Sequence, residues 1–209
     1  LLKTGELNER DRKKLEIISN ETIRLEKYLE NMESSVSELK LDDEDLNQIL
    51  EDNTNLLQNE FAEKEIHLYK SLAHGLPRCP VDHVKIQEVF LNMFQNSIEA
   101  VHYGGSIWVR TWASVDNTKV FVEISDNGTG ISREQMTKIF TPFFTTKEKG
   151  SGLGLAFAHR IIRDHGGNIS VSSVKGEKTA FLISLPSSGR QSEGYEGLPG
   201  GQTALQPGN

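Results

Sequence analysis

The order of apolar and polar positions divides the chain into elements. From about Glu9, apolar or near-apolar residues fall at Leu15, Ile18, Thr22, Leu25, Leu29, Met32 and Val36, alternating three and four apart. Tyr28 sits beside this seam, and Arg24, Glu26 and Lys27 lie outside it. That seven-residue repeat predicts one long amphipathic helix. It reads either as a helix packed on its own domain or as a dimerising helix of a four-helix bundle. The second is favoured because a separate domain begins near Leu39. Residues 37–41 predict a short edge strand. Asp42 or Asp43 then caps a helix to about Lys64, with apolar positions at Leu46, Ile49, Leu50, Leu56, Leu57 and Phe61. Residues 66–72 alternate loosely as a strand, and 75–80, with two prolines, read as a turn.

Asp82 is placed to cap a helix over 83–101. Its buried stripe is Ile86, Val89, Phe90, Met93, Phe94, Ser97 and Val101. Glu88, Asn92, Asn96 and Glu99 follow at spacings of four, four and three, so they share one polar face. Asparagine is a poor helix former, and two of them one turn apart want an explanation beyond solvation. Residues 107–113 and 118–125 alternate as a hairpin turning at 115–117. Trp108 and Trp112 lie on one face of its first strand, a pattern for packing or a lateral surface rather than a ligand stack. Ser132 and Gln135 form a capping box for a short helix to Ile139. Residues 140–152 read as a loop, 153–165 as a helix closed by Gly166 and Gly167, and 168–174 with 179–186 as a second hairpin.

Composition narrows the class. Hydrophobic residues are 36% and charged residues 25% of the 209, enough for a folded core beside less compact segments. The net charge of −7 disfavours a nucleic-acid binder, which would want a basic stripe. It leaves room for a phosphate site, where local dipoles, Lys147 and a bound cation outweigh a global excess. The single cysteine, Cys79, permits no internal disulfide, and a reducing, cytosolic setting is the simplest reading. No apolar run is long enough to span a membrane. The chain starts at Leu1 without methionine or a signal pattern, which suggests a piece of a longer protein. Residues 187–209, rich in Gly, Ser, Gln and Pro, read as a flexible tail or linker.

The chemistry concentrates in residues 126–155. They read D-N-G-T-G at 126–130, F-T-P-F-F-T-T-K at 140–147 and G-S-G-L-G-L at 150–155. An apolar strand that ends in Asp126 and continues into glycines lets backbone approach a flat ligand. A second glycine cluster opening onto a helix supplies free N–H groups and the positive end of a helix dipole, which suits phosphate. The stretch therefore offers a base-reading carboxylate and a phosphate cradle, joined by a loop with three phenylalanines.

With the asparagine helix, these motifs in this order resemble the ATP-binding domain of sensor histidine kinases, of the nitrogen-regulation-like subgroup. That domain is of the GHKL (Bergerat) type, shared with gyrase, mismatch-repair ATPases and the ninety-kilodalton heat-shock chaperone. The resemblance runs from about Leu39 to Pro186. It implies an α+β fold, a two-layer α/β sandwich with a mixed, mostly antiparallel sheet of about five strands packed on three helices. A coiled-coil or bundle helix would precede it. Residues 1–36 would be part of a dimerisation hairpin, 37–186 the ATP-binding catalytic domain, and 187–209 the tail.

The resemblance also implies roles. Asn96 would be the magnesium ligand, and Asn92 would help hold phosphate or metal. Asp126 would accept from the adenine amino group, a bond to a charged acceptor typically worth ~1.5–3 kcal/mol. Gly128 and Gly130 would admit base and ribose, with Ile131 beside them. Lys147 would meet the phosphates. Gly150, Ser151, Gly152, Leu153, Gly154 and Leu155 would cradle them, and Thr179 would lie near adenine. The implied cofactors are ATP and Mg2+. The implied partners are a response-regulator receiver domain and a second copy, through the N-terminal helix.

None of the six histidines lies on the heptad helix, so the phosphoacceptor of such kinases is absent from this chain. Hydrolytic members of the superfamily carry a glutamate where this chain has Asn92, and Glu88, a turn further back, is expected to be solvated. The reading is therefore a kinase core. The alternatives are a GHKL-type ATPase and a nucleotide-binding regulator without catalysis.

Overall fold

The computed structural model describes residues 38–147 and 150–189 and, ahead of them, positions 11, 12, 14, 19 and 22, which are helical. The rest of the predicted heptad helix, and the tail from residue 190, lie outside the described residues.

Seven strands and five helices follow. In order they are β1 (Asp42–Glu44), α1 (Leu46–Leu56), α2 (Gln58–Glu63), β2 (His67–Ser71), β3 (Cys79–Val81), α3 (His83–Ala100), β4 (Ser106–Ala113), β5 (Lys119–Asp126), α4 (Arg133–Met136), α5 (Gly154–Asp164), β6 (Asn168–Val174) and β7 (Lys178–Pro186). Five strands form one sheet in the order β2-β4-β5-β7-β6. Only the β2–β4 pair is parallel, so the sheet is mixed and mostly antiparallel, as expected. β1 and β3 make a separate two-stranded ribbon.

Three boundaries differ from the sequence reading, one of them the short helix expected to reach Ile139, which ends at Met136. The edge strand expected at 37–41 forms at Asp42–Glu44, because those residues pair with Cys79–Val81, the first two of which fall in the expected turn 75–80. The cap accordingly moves to Asp45, whose carboxylate accepts from Asn47 N–H at 2.9 Å. The helix expected to run to Lys64 breaks at Leu57, whose N–H returns to Asn53 O. Leu57 and Phe61 both remain buried across the break, so the apolar stripe survives it.

The alternation of the central strands builds a two-layer core. Ile107 and Val109, Val120, Val122 and Ile124, and Phe181, Ile183 and Leu185 face inward and are buried. α3 lies on them with Ile86, Val89, Phe90, Met93 and Phe94 fully buried, and α1 and α5 flank it. Each such side chain contributes roughly 1.5–3 kcal/mol. Among the described residues, no helix covers the opposite face of the sheet. There Trp108 stacks on Tyr69 (centroids 5.7 Å apart) and Trp112 on Phe121 (5.3 Å), a lateral surface made of cross-strand pairs.

The same inward alternation, carried two residues past Ile124, turns Asp126 under α3. In the register β5–β7, Asp126 lies opposite Thr179. At this end of the sheet the core layer changes from hydrocarbon to a carboxylate and a hydroxyl.

Candidate functional site

Asp126 is 2% exposed, and its oxygens are divided between two donors. Gly128 N–H donates to Oδ1 at 2.9 Å, and Ser97 Oγ donates to Oδ2 at 3.1 Å. Burial pushes its carboxyl above the ordinary value, while these two hydrogen bonds pull it down. The net shift is upward, and the carboxyl sits in a dry place beside the cavity. Thr179 is buried opposite, sharing a 3.0 Å contact with Ser173 Oγ, which accepts from Ile131 N–H at 2.8 Å. Ser97 and Ser173 were not among the sequence-derived site residues. Ser97 read as part of the buried stripe, and only the β5 partner shows that its hydroxyl has a use.

The asparagines stand half-buried on the adjoining face of α3. Each ties its own amide nitrogen back to the helix: Asn92 Nδ2 donates to Glu88 O at 3.0 Å, and Asn96 Nδ2 donates to Asn92 O at 2.8 Å. Both oxygens are thereby left to project away from the backbone. Lys147 Nζ donates to Asn96 Oδ1 at 3.0 Å and is paired with Glu99.

Opposite them, α5 begins at Gly154 with no side-chain cap on its first turn. Its open N–H groups and dipole suit an anion. Gly152 has φ +68, and a Cβ there would lie 2.5 Å from Phe143 C. Only glycine admits that backbone approach. Phe143 itself has φ 67 and is exposed, whereas Phe140 stacks on His159 and Phe144 packs against the core.

These groups surround a cavity of ≈ 760 Å³ between α3, the end of the sheet and the N-terminus of α5. Asn92, Asn96, Asp126, Gly130, Ile131, Lys147 and Thr179 line it, and so does the whole run 150–155. Gly128 does not line it: a Cβ there would lie 2.6 Å from Ala100 C and O, so this glycine seats the β5 end against α3. Glu88 corrects another expectation. It is half-buried rather than solvated, it lines the cavity, and burial raises its carboxyl above the usual range against the pull of Lys85.

A mixed sheet under three helices, with a carboxylate, two amides and an uncapped helix around one cavity, defines a nucleotide-binding domain of the ATPase class. The family described as "Histidine kinase-, DNA gyrase B-, and HSP90-like ATPase" matches residues 81–189, just over half of the chain, and the chain belongs to it. Sensor histidine kinase ZraS of Escherichia coli (strain K12) is 34% identical over 173 residues, 82% of this chain and 37% of ZraS. The catalytic domain of histidine kinase ThkA superposes with a TM-score of 0.65 at 31% identity, covering 71% of this chain and 96% of that one. ThkA in complex with the response regulator protein TrrA superposes with a TM-score of 0.68 at 29% identity, covering 89% of this chain and 54% of that one. The chain is an ATP-binding core of the kind found in sensor histidine kinases. It spans 37% of the length of ZraS.

Proposed function

We propose that this chain is the catalytic core of a two-component sensor histidine kinase. It binds ATP and transfers the γ-phosphate to a histidine on a helical hairpin, for relay to the aspartate of a response-regulator receiver domain. Residues 37–186 are the catalytic domain, residues 1–36 contribute to a dimerisation hairpin that makes a homodimer, and 187–209 form a tail. The setting is cytosolic. Among the described residues no helix is long and apolar enough to cross a membrane.

Each site residue takes a part. Asp126, oriented by Ser97 and Gly128, accepts from the adenine amino group, and Thr179 lies beside it. Gly130 and Ile131 line the entrance for base and ribose. The N–H groups of 152–155 and Lys147 meet the phosphates. Catalysis is then mostly positioning and charge stabilisation, as is usual for phosphoryl transfer.

The donor chemistry fits magnesium. Asn96 presents a hard amide oxygen because its nitrogen is bound to Asn92 O. Among the described residues no group of three or more His, Cys, Asp or Glu could cage a metal, so its other ligands would be phosphate oxygens and water. When bound, it would supply neutralising charge to the phosphates.

The observation that carries the kinase reading is Asn92. At the position where hydrolytic relatives hold a glutamate, this chain has an amide whose nitrogen is tied to Glu88 O. An amide cannot take a proton from water, so the γ-phosphate waits for a nucleophile brought by another segment. The half-buried Glu88 favours one second reading, an ATPase using it as the base.

The test mixes the chain with labelled ATP and a separate histidine-bearing hairpin. Acid-labile label on the hairpin supports the kinase. Phosphate release that needs Glu88 supports the ATPase. Tight nucleotide binding with neither outcome supports a regulator without catalysis.

A further inference from the structure

The ammonium of Lys147 meets two α3 side chains at once, Asn96 Oδ1 at 3.0 Å and the Glu99 carboxylate. Asn96 and Glu99 are three residues apart, so one turn of helix presents an amide oxygen and an anion side by side. All three residues line the cavity. Under the proposed function, Asn96 Oδ1 belongs to a divalent cation and Lys147 to the phosphates. A lysine ammonium and a divalent cation on one oxygen would repel each other at a few ångströms. The oxygen therefore serves one of them at a time.

We infer that Glu99 is a positioning residue that holds Lys147 on the metal-binding amide, so that loading the nucleotide with its metal exchanges one cation for another. This rests on the site reading above. Lysine suits such a part, because it is a compact charge on a flexible stem and can swing from a carboxylate to a phosphate. Without Glu99, the amide alone is a neutral acceptor and a weaker hold. With it, the protein's own cation neutralises Glu99 until phosphate arrives, and Glu99 competes with that phosphate for the same ammonium. The side chains of Lys147 and Glu99 are 42% and 56% exposed, so the hold is screened and modest, about two- to fivefold in affinity. It weakens further as ionic strength rises.

The experiment is a double-mutant cycle on binding of a non-hydrolysable ATP analogue, read by calorimetry, with Mg2+ titrated at fixed nucleotide. Glu99→Gln tightens binding about two- to fivefold and lowers the Mg2+ concentration needed for half-saturation. In a Lys147→Gln background, the same change at Glu99 has no effect. Binding that is unchanged or weaker in Glu99→Gln overturns the inference. An equal gain in both backgrounds also overturns it, since Glu99 would then act on phosphate by simple repulsion. Asn96→Ala separates the two levels: if it leaves Mg2+-dependent affinity intact, the site reading itself has failed.

Discussion

Gly154 and Asn92 meet at close range: a Cβ at 154 would lie 2.6 Å from Asn92 Oδ1, the free end of that side chain. The first residue of α5 thus touches the amide that projects from α3. A methyl group at 154 would displace that oxygen, so glycine here leaves the Asn92 amide its place on the cavity wall.

Gly154→Ala forces that contact apart. The contact is with the end of a half-buried side chain, so the Asn92 amide swings aside and the cost to the fold is small. Nucleotide affinity is expected to fall, because the displaced amide is a cavity-lining group, with little change in thermal stability. Calorimetry beside a thermal melt checks it. Wild-type affinity would show that the position of the Asn92 amide does not matter to binding.

Asp126→Asn should stabilise the fold while weakening nucleotide binding. Burial raises the Asp126 carboxyl above its unfolded value. Between those two values the folded protein holds more protons, so stability falls as pH rises through that window. Above the window the ionised group is a standing cost, which the amide removes. Under the proposed function, the amide also puts a donor where the adenine amino group needs an acceptor. Melts across acidic to neutral pH should show a higher midpoint for the variant and no loss of stability from this site. A lower midpoint at neutral pH would mean that the carboxylate is better stabilised than its burial implies.

Ser97→Ala removes a buried donor from the same carboxylate. A hydrogen bond to a charged group is worth ~1.5–3 kcal/mol, and its loss leaves Asp126 oriented by Gly128 alone. The expected result is weaker adenine-nucleotide binding whose deficit grows as pH falls, because losing the donor raises the carboxyl further. A deficit independent of pH would assign Ser97 to packing only.

His165→Phe is the structural counterpart. His165 Nε2 accepts from Asp82 N–H at 3.0 Å, and Nδ1 contacts Ile161 O at 2.7 Å, so the imidazole joins the end of α5 to the start of α3. Phenylalanine keeps the ring and leaves the buried Asp82 N–H without this partner. Stability should drop by roughly 1–3 kcal/mol, with nucleotide affinity unchanged once the protein is folded. Denaturant melts and calorimetry separate the two. A large affinity loss in the folded variant would mean that the α3–α5 joint bears on the site.

Much of this architecture was legible in local pattern. Alternation through 107–113 and 118–125 gave the inward set of β4 and β5, because side-chain direction follows backbone geometry alone. Asp82 and the Ser132–Gln135 box appear as caps because their hydrogen bonds reach only three residues along the chain. The break at Leu57 was not legible, since the apolar stripe of α1 continues through α2. The β1–β3 ribbon was missed for another reason: Asp42 and Val81 are partners only once the intervening chain has folded.

The sequence by itself determined which residue types were available to a nucleotide: a strand ending in an acid, two amides on one helical face, and glycines ahead of a helix. These are properties of short windows, fixed by helical and strand periods. Only the tertiary structure decided how they meet. It placed Ser97 on Asp126, set Gly128 against Ala100 rather than on the cavity, turned Glu88 inward, and brought Lys147 to Asn96 and Glu99. Such pairings depend on the docking of segments distant in sequence, where packing at close range, not periodicity, chooses the neighbour.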